Sequence, residues 1–213
     1  MGASSHSSNF QPPFSLLVAS HNRRKVVEIK PLLDGLGLEI GDLTQWPDIP
    51  EIEETGATFA QNALLKARYY HEQTGLLVMA DDSGLEVAAL DGSPGIRSAR
   101  YAGAEASDAQ RIAKLLQALE EIPDEKRMAR FVCVVALVGP NQLEKTFTGV
   151  CEGRIARQPM GEGGFGYDPI FIYPPLGKTF AQLTPEEKSA VSHRGRAVEQ
   201  LRQFLMEWRS WSA

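Results

Sequence analysis

The chain has 213 residues, of which 43% are hydrophobic and 23% charged, so it is long enough to bury the core of one larger α/β domain. It carries 22 basic and 27 acidic residues, which gives a net charge of -5. This excess of negative charge argues against sequence-independent binding to nucleic acid, which depends on Lys and Arg neutralising phosphates. An anionic small molecule would therefore need a local basic cluster.

The opening segment and the apolar runs bear on the location of the protein. No apolar run reaches the ~20 residues that span a bilayer, and MGASSHSSNFQPP lacks the basic start and apolar centre of a secretion signal. We expect residues 1–13 to form a disordered leader and residues 14–213 to form a single cytoplasmic domain without membrane contact. Cys133 and Cys151 have neither zinc-site nor redox-pair spacing, and we expect reduced core thiols.

The first part of the chain alternates strand and helix patterns. FSLLVAS predicts a strand, and HNRRKVVEIKPLL predicts a helix whose middle is weakened by Pro31. LEIGDL predicts a second strand. Thr58 and Gln61 form a capping-box pattern at the start of a helix that should end at Gly75. An apolar strand is predicted next, over Leu76–Ala80.

The second part adds a hairpin and further helices. SDAQRIAKLLQAL repeats the capping-box pattern, with a leucine stripe that is typical of core packing. ARFVCVVALVG and LEKTFTGVCEGRIA flank GPNQ and predict an antiparallel hairpin. The glycine-dense loop MGEGGFGYDP precedes the strand IFIYP, and Thr184 and Ser192 can cap two final helices. These elements predict an α/β fold with a mixed central β-sheet flanked by helices.

Asp81 and Asp82 stand side by side where the apolar strand is predicted to end. Adjacent carboxylates raise one another's pKa and are costly to bury without a positive charge. They could form a solvated turn in which Asp caps the backbone, or they could bind a cation, and the residues alone leave both readings open. With the acidic segment EIEE before the Thr58 helix, they offer the hard oxygen ligands that suit Mg²⁺.

Basic and aromatic residues mark three further segments. The strand-turn-helix pattern SHNRRK offers hydroxyl, amide and ammonium donors for a phosphate, although basic residues on an exposed helix are usually only solvated. Phe165 and Tyr167 lie among glycines, which is unusual for a plain connector and suits a platform for an aromatic ring. His193 beside Arg194, at a predicted helix start, gives a pair of hydrogen-bond donors.

In this order, five segments resemble the inosine triphosphate pyrophosphatase family, over about Leu16 to Leu205: ASHNRRK, EETGATFAQNALLKA, ADDSGLEVAALDGSPGIRSARYAG, GGFGYDPIF and EEKSAVSHRG. The resemblance implies an elongated catalytic domain with two lobes, a nucleotide cleft between them, and a homodimer. It also implies Mg²⁺-dependent hydrolysis of ITP, dITP and XTP to the monophosphate and pyrophosphate, which prevents their incorporation into DNA and RNA.

The resemblance assigns roles to particular residues. Asp82 matches the catalytic proton acceptor, and Glu53 and Asp82 match the Mg²⁺ ligands. The positions that match nucleotide contacts are Ser20, His21, Asn22, Arg23, Arg24, Lys25, Ser83, Phe165, Gly166, Tyr167, Asp168, Lys188, His193 and Arg194. Two residues depart from the family pattern: His21 stands where many members have Gly, which would alter the backbone approach to phosphate, and Gln182 stands where many have Glu.

The implied mechanism has water attacking the α-phosphorus while the metal bridges enzyme and phosphates. Lys25 and Lys188 would neutralise the leaving pyrophosphate. Donors on His193 and Arg194 would satisfy the 6-oxo group of hypoxanthine or xanthine and disfavour adenine. The alternatives are a pyrophosphatase for another damaged nucleotide and a nucleotide sensor that has lost catalysis. The sequence leaves open how Asp81 and Asp82 divide their roles.

Overall fold

The computed structural model describes residues 15–212, with side chains to residue 208, and contains a seven-stranded mixed sheet. The predicted leader, residues 1–13, lies outside the described residues. The strand order is β2-β1-β3-β4-β5-β6-β7, with β1 parallel to β2 and β3 and the remaining neighbours antiparallel. The strands are β1 (Ser15–Val18), β2 (Glu39–Asp42), β3 (Leu77–Val87), β4 (Met128–Gly139), β5 (Leu143–Ile155), β6 (Phe171–Tyr173) and β7 (Lys178–Thr179).

The α-helices begin close to the predicted signals. They are α1 (Arg23–Ile29), α2 (Phe59–Thr74), α3 (Asp108–Ala118), α4 (Pro185–Val191) and α5 (His193–Ser212). The Thr58 hydroxyl accepts a hydrogen bond from the Gln61 amide, and α2 ends at Gly75, whose φ of 69° suits glycine. At Pro31, which has no amide hydrogen to donate, α1 gives way to a 3₁₀ turn. None of the described helices has the length and apolar character needed to cross a membrane.

The helices cover the sheet on both faces, as predicted. On one face, α1 and α5 pack against the sheet through buried residues such as Ile29 and Leu201. On the other face, α2 packs through residues such as Ala63 and Tyr70. A third cluster, which includes Phe131, encloses the far ends of β3, β4 and β5 together with α3. The two cysteines are free and buried, as expected.

The prediction that a strand ends at Ala80 is wrong. Strand β3 continues through Asp81 and Asp82, and β4 pairs with both residues. The two residues are only 2% and 5% exposed, which rules out the solvated-turn interpretation. The apolar pattern stops at Ala80, but backbone pairing with β4 carries the strand seven residues further, to Val87.

Gly149 allows the start of α5 to lie directly on β5. A β-carbon at this position would lie 2.0 Å from the His193 carbonyl oxygen and 2.6 Å from the Ala197 amide nitrogen. Both are backbone atoms, so a methyl group can be accommodated only if α5 moves away from the sheet.

We therefore expect Gly149→Ala to lower stability by at least the roughly 1–3 kcal/mol typical of overpacking. The melting temperature should fall by about 3 °C or more in a thermal unfolding experiment. Thr148→Ala, at the exposed neighbouring position of the same strand, is the matched control and should have a small effect. An unchanged melting temperature for Gly149→Ala would show that α5 does not depend on this close approach.

Candidate active site

A cavity of about 600 Å³ lies where elements of all three hydrophobic clusters meet, and its volume is in the range of small-molecule sites. Arg23 is exposed and does not line the cavity, in contrast to the other predicted site residues. Those that do line it are Ser20, His21, Asn22, Arg24, Lys25, Glu53, Asp82, Ser83, Phe165, Gly166, Tyr167, Asp168, Lys188, His193 and Arg194.

The turn between β1 and α1 is organised by its own side chains. The Ser20 hydroxyl accepts a hydrogen bond from the Asn22 amide at 3.2 Å. Asn22 caps α1, because its side-chain oxygen accepts from the amides of Arg24 at 3.0 Å and Lys25 at 3.3 Å. The His21 ring lies 2.8 Å from the Tyr70 hydroxyl. This turn therefore presents the Lys25 side chain to the cavity from a fixed helix start.

Asp81 and Asp82 lie on opposite faces of the sheet, because successive side chains of a strand alternate. Asp81 follows Leu77 and Met79, which pack in the cluster beneath α1 and α5. Asp82 follows Val78 and Ala80, which pack in the cluster beneath α2. The continuous strand thus separates two like charges that the sequence places side by side.

Asp81 is an ion-pair centre between two helices. One of its carboxylate oxygens lies 3.0 Å from the Lys25 ammonium and 3.4 Å from the Arg194 guanidinium, and it accepts a hydrogen bond from the Ser83 hydroxyl at 3.2 Å. Burial would raise the pKa of Asp81, but the charges of Lys25, Arg194 and Lys66 outweigh that effect and hold the pKa well below its usual range. Asp81 is therefore a permanent anion that fixes two basic residues of the cavity.

Asp82 lies in a different electrostatic environment. Asn62 donates a hydrogen bond to its carboxylate at 3.1 Å, and the Lys66 ammonium is 3.8 Å away. The Lys66 ammonium is also 2.7 Å from the Glu54 carboxylate, which neutralises much of the positive charge of Lys66. Burial raises the pKa of Asp82 above its usual range, and Glu54 raises it further, because Lys66 offsets these effects only in part. Asp82 is thus the carboxylate better suited to accept a proton.

An ion-pair network around Glu28 joins Lys188 and Arg194, two of the residues that line the cavity. Its carboxylate lies 2.6 Å from the Lys188 ammonium and 2.6 Å from the Arg194 guanidinium. Lys188 also contacts Asp168 at 2.5 Å, so two carboxylates balance its charge. Arg194 also donates a hydrogen bond to the Ser83 hydroxyl at 2.9 Å.

His193 is an almost fully buried, uncharged imidazole. Its ring stacks on Phe131 with centroids 4.5 Å apart and planes 10° apart. Burial and the nearby charges of Arg194 and Lys188 lower the pKa of His193 well below its usual value, so the ring is neutral at neutral pH. Within the described part of the chain, its Nδ1 atom has no hydrogen-bond partner. The ring can therefore offer a hydrogen bond to a ligand in the cavity.

The two aromatic residues of the glycine-dense loop have different surroundings. Tyr167 is 4% exposed, packs in the third cluster, and donates a hydrogen bond from its hydroxyl to the Ser98 carbonyl at 3.0 Å. Phe165 is partly exposed in the cavity, with the Lys188 ammonium 4.9 Å from its ring centre. The platform predicted from both residues is therefore available mainly at Phe165.

Sequence reasoning did not single out Glu28, Asn62 or Lys66. Glu28 follows Lys25 by three positions on α1, so the two side chains lie on neighbouring parts of one helical face. Asn62 and Lys66 are four positions apart on α2, and Asn62 is fully buried. Asn62 could have been found from the sequence, because it is a polar residue within the apolar stripe of α2. Nothing in the sequence links Glu28 to Lys188, which is 160 positions away.

The carboxylates of the cavity suit a metal ion that also binds substrate oxygens. Among the side chains that the structure describes, no group of three His, Cys, Asp or Glu residues could hold a metal by itself. Mg²⁺ needs only one or two carboxylates besides waters and phosphates. Asp82 is a buried carboxylate with a raised pKa, and a divalent cation would relieve its unbalanced charge. Glu53 lines the same cavity and is exposed, whereas the Glu54 carboxylate is bound to Lys66.

Known proteins are similar to this chain over most of its length. A dITP/XTP pyrophosphatase of Coxiella burnetii is 49% identical over 194 residues, which cover 90% of this chain and 96% of that protein. A dITP/XTP pyrophosphatase of Geobacter sulfurreducens is 50% identical over 190 residues, covering 89% and 96%.

Solved structures of related proteins have the same fold. A HAM1 protein from Coxiella burnetii aligns with a TM-score of 0.84 and 49% identity, covering 91% of this chain and 99% of that one. The Staphylococcus aureus Ham1 protein aligns with a TM-score of 0.81 and 44% identity, covering 90% and 97%. These matches confirm the predicted α/β fold and the resemblance drawn from five sequence segments. The family model described as the Ham1 family matches residues 16–204, and the chain belongs to that family.

Proposed function

We propose that the protein hydrolyses dITP, XTP and ITP to the monophosphate and pyrophosphate, and so keeps these nucleotides out of DNA and RNA. The observation that carries the proposal is a cavity that brings basic side chains, among them Lys25 and Arg194, together with Asp82, a buried carboxylate with a raised pKa, in a chain of net charge -5. The curated relatives named dITP/XTP pyrophosphatase support the same activity.

The triphosphate is assigned to the end of the cavity that contains Lys25. Its ammonium shares the Asp81 carboxylate with Arg194, so its charge is only partly balanced. Lys188, in contrast, is bound by two carboxylates beside Phe165. Lys25 is therefore better placed than Lys188 to stabilise the charge of the leaving pyrophosphate, and Lys188 shapes the part of the cavity next to the aromatic ring.

Asp82 is assigned to the water that attacks the α-phosphorus. Its raised pKa makes the carboxylate a better proton acceptor, and the Asn62 amide fixes its orientation through a 3.1 Å hydrogen bond. Glu53 and Asp82 would hold Mg²⁺, with the exposed Glu53 side chain free to turn toward the phosphates. When bound, Mg²⁺ would supply positive charge to the phosphate oxygens.

The base is assigned to the end of the cavity formed by Phe165, His193 and Arg194. Phe165 offers an aromatic face, and the neutral His193 ring and the Arg194 guanidinium offer donors to a 6-oxo group. Adenine would place an amino donor against these donors, and an unpaired buried polar group costs about 1–3 kcal/mol. We therefore expect about tenfold to hundredfold discrimination against ATP.

A substrate panel with Mg²⁺ tests the reaction directly. We expect each molecule of dITP, XTP or ITP to give one monophosphate and one pyrophosphate. No orthophosphate should form in a pyrophosphatase-free assay. Chelation of the metal should abolish turnover, and added Mg²⁺ should restore it.

Other outcomes would favour the alternatives. Release of orthophosphate and IDP would contradict attack at the α-phosphorus. Faster turnover of dUTP or of a methylated pyrimidine nucleotide would indicate a pyrophosphatase for another damaged nucleotide. Tight binding of ITP without turnover would indicate a sensor. The family resemblance also supports a homodimer, and sedimentation at micromolar concentration should give twice the chain mass of 23.4 kDa.

A further inference from the structure

Two carboxylates hold the loop that carries Phe165. The Phe165 amide donates to the Asp168 carboxylate at 2.8 Å, and the Gly166 amide donates to the Asp108 carboxylate at 2.8 Å. Asp108 begins α3, so the second bond ties the loop to another element of the cavity wall. Gly166 has a φ of 62°, a backbone conformation that favours glycine. The aromatic side chain is therefore presented by a loop fixed at two consecutive amides.

Asp108 also holds a basic side chain of α1 over this ring. The Arg24 guanidinium lies 2.6 Å from the same Asp108 oxygen that binds the Gly166 amide, and its central carbon is 4.9 Å from the centre of the Phe165 ring. Arg111 contacts the other Asp108 oxygen at 2.6 Å. Hydrogen bonds from these groups outweigh burial and lower the pKa of Asp108, which keeps the carboxylate charged. Arg24 thus links α1 to α3 across the cavity.

Among the described residues, three cations lie near Phe165, and of these only Arg24 is open to solvent. The Lys188 and Arg194 side chains are 7% and 3% exposed, whereas the Arg24 side chain is 52% exposed. A base that enters from solvent therefore meets the Arg24 guanidinium before it meets Lys188 or Arg194. A base stacked on Phe165 would have its ring centre about 4.5–7 Å from the centre of the Phe165 ring. The central carbon of the Arg24 guanidinium lies at 4.9 Å, within that range of distances.

We propose that Arg24 and Asp108 form a latch over Phe165, and that the nucleobase must displace the Arg24 guanidinium to stack on the ring. The inference rests on the proposed function only in taking Phe165 as the platform for the base. Arg24 then lowers the affinity for every base, because only the fraction of molecules with an open latch can bind. The exposed ion pair and cation–π contact are weak enough for a ligand to displace.

Inosine is the probe that isolates this effect, because it has the base and no phosphate to interact with Arg24. We expect Arg24→Ala to bind inosine about three- to tenfold more tightly than the wild-type protein, as measured by NMR titration. Asp108→Asn should shift affinity in the same direction, since it removes the charge that holds Arg24 and keeps an oxygen for the Gly166 amide. High salt should tighten inosine binding to the wild-type protein and leave Arg24→Ala unchanged, because salt screens exposed ion pairs.

Arg68→Ala is the matched control. The Arg68–Glu144 ion pair has a similar length, 2.7 Å, and a similarly exposed arginine, 54%, but neither residue lines the cavity. Arg68→Ala removes one positive charge, as Arg24→Ala does, and should leave inosine affinity unchanged. Unchanged or weaker inosine binding by Arg24→Ala would overturn the latch. The titration needs no turnover, so failure of the latch and failure of the proposed hydrolysis are separate results.

Discussion

Asp82→Asn is expected to lower turnover of dITP at saturating Mg²⁺ by at least about 100-fold, the low end for loss of general acid-base catalysis. The substitution keeps the size and shape of the side chain but removes the charge that would accept a proton from water and hold the metal. Asn can still accept the hydrogen bond that Asn62 donates to Asp82. The loss should therefore appear in kcat with the fold intact.

Although Asp82→Asn should lower turnover, it should not lower stability. The charged form of Asp82 is disfavoured in the folded protein, because burial and Glu54 raise its pKa. Asp82→Asn should therefore be neutral or mildly stabilising in metal-free thermal unfolding at neutral pH.

The control for Asp82→Asn is Glu86→Gln, on the same strand. Glu86 pairs with Arg130 at 2.7 Å and does not line the cavity, so its substitution should leave turnover close to wild type. Turnover by Asp82→Asn within a fewfold of wild type would refute both the proton-acceptor and the metal-ligand assignment. A large loss of stability in that variant would instead assign Asp82 a structural role.

Local sequence signals were sufficient for most of the fold. The capping residues Thr58 and Ser107 predicted where α2 and α3 begin, because a side-chain oxygen and the amide it accepts from lie within one helical turn. The turn GPNQ predicted the β4–β5 hairpin for the same reason, since its interactions lie within a few residues. Val27 shows the limit of such patterns, because it is apolar and follows the buried Val26 on α1, yet it is 71% exposed.

The candidate site depended on contacts that no local pattern contains. Strand β3 continues through Asp81 and Asp82 because β4, about fifty residues later, pairs with it and basic side chains from three helices surround the carboxylates. The resemblance named about half of the residues that line the cavity, but it did not give their partners. The roles of Glu28 and Lys66 come from partners on other segments, because Glu28 contacts Lys188 of α4 and Lys66 contacts Glu54 and Asp82.

Asp81→Asn is expected to lower the free energy of unfolding by about 3–5 kcal/mol, the usual cost of removing one partner from a buried ion pair. The Asp81 side chain is fully buried, and it balances Lys25 and Arg194, whose side chains are 15% and 3% exposed. Asparagine would place either a neutral oxygen or an amide donor against these two cations. Arg194 would keep Glu28 as a partner, but Lys25 would lose its carboxylate.

Chemical denaturation of the metal-free protein at neutral pH measures this effect, with Asp82→Asn as the control one residue away. The two variants remove the same charge from the same strand, yet we expect opposite signs. Asp81 has a lowered pKa, so its charged form stabilises the fold at neutral pH, and this contribution is lost only as the pH falls below its usual range. Asp82 has a raised pKa, so its charged form destabilises the fold at neutral pH. Equal unfolding free energies for the two variants would contradict this assignment. They would show that Asp81 is not needed to hold Lys25 and Arg194 in place, and that the two carboxylates do not have separate roles.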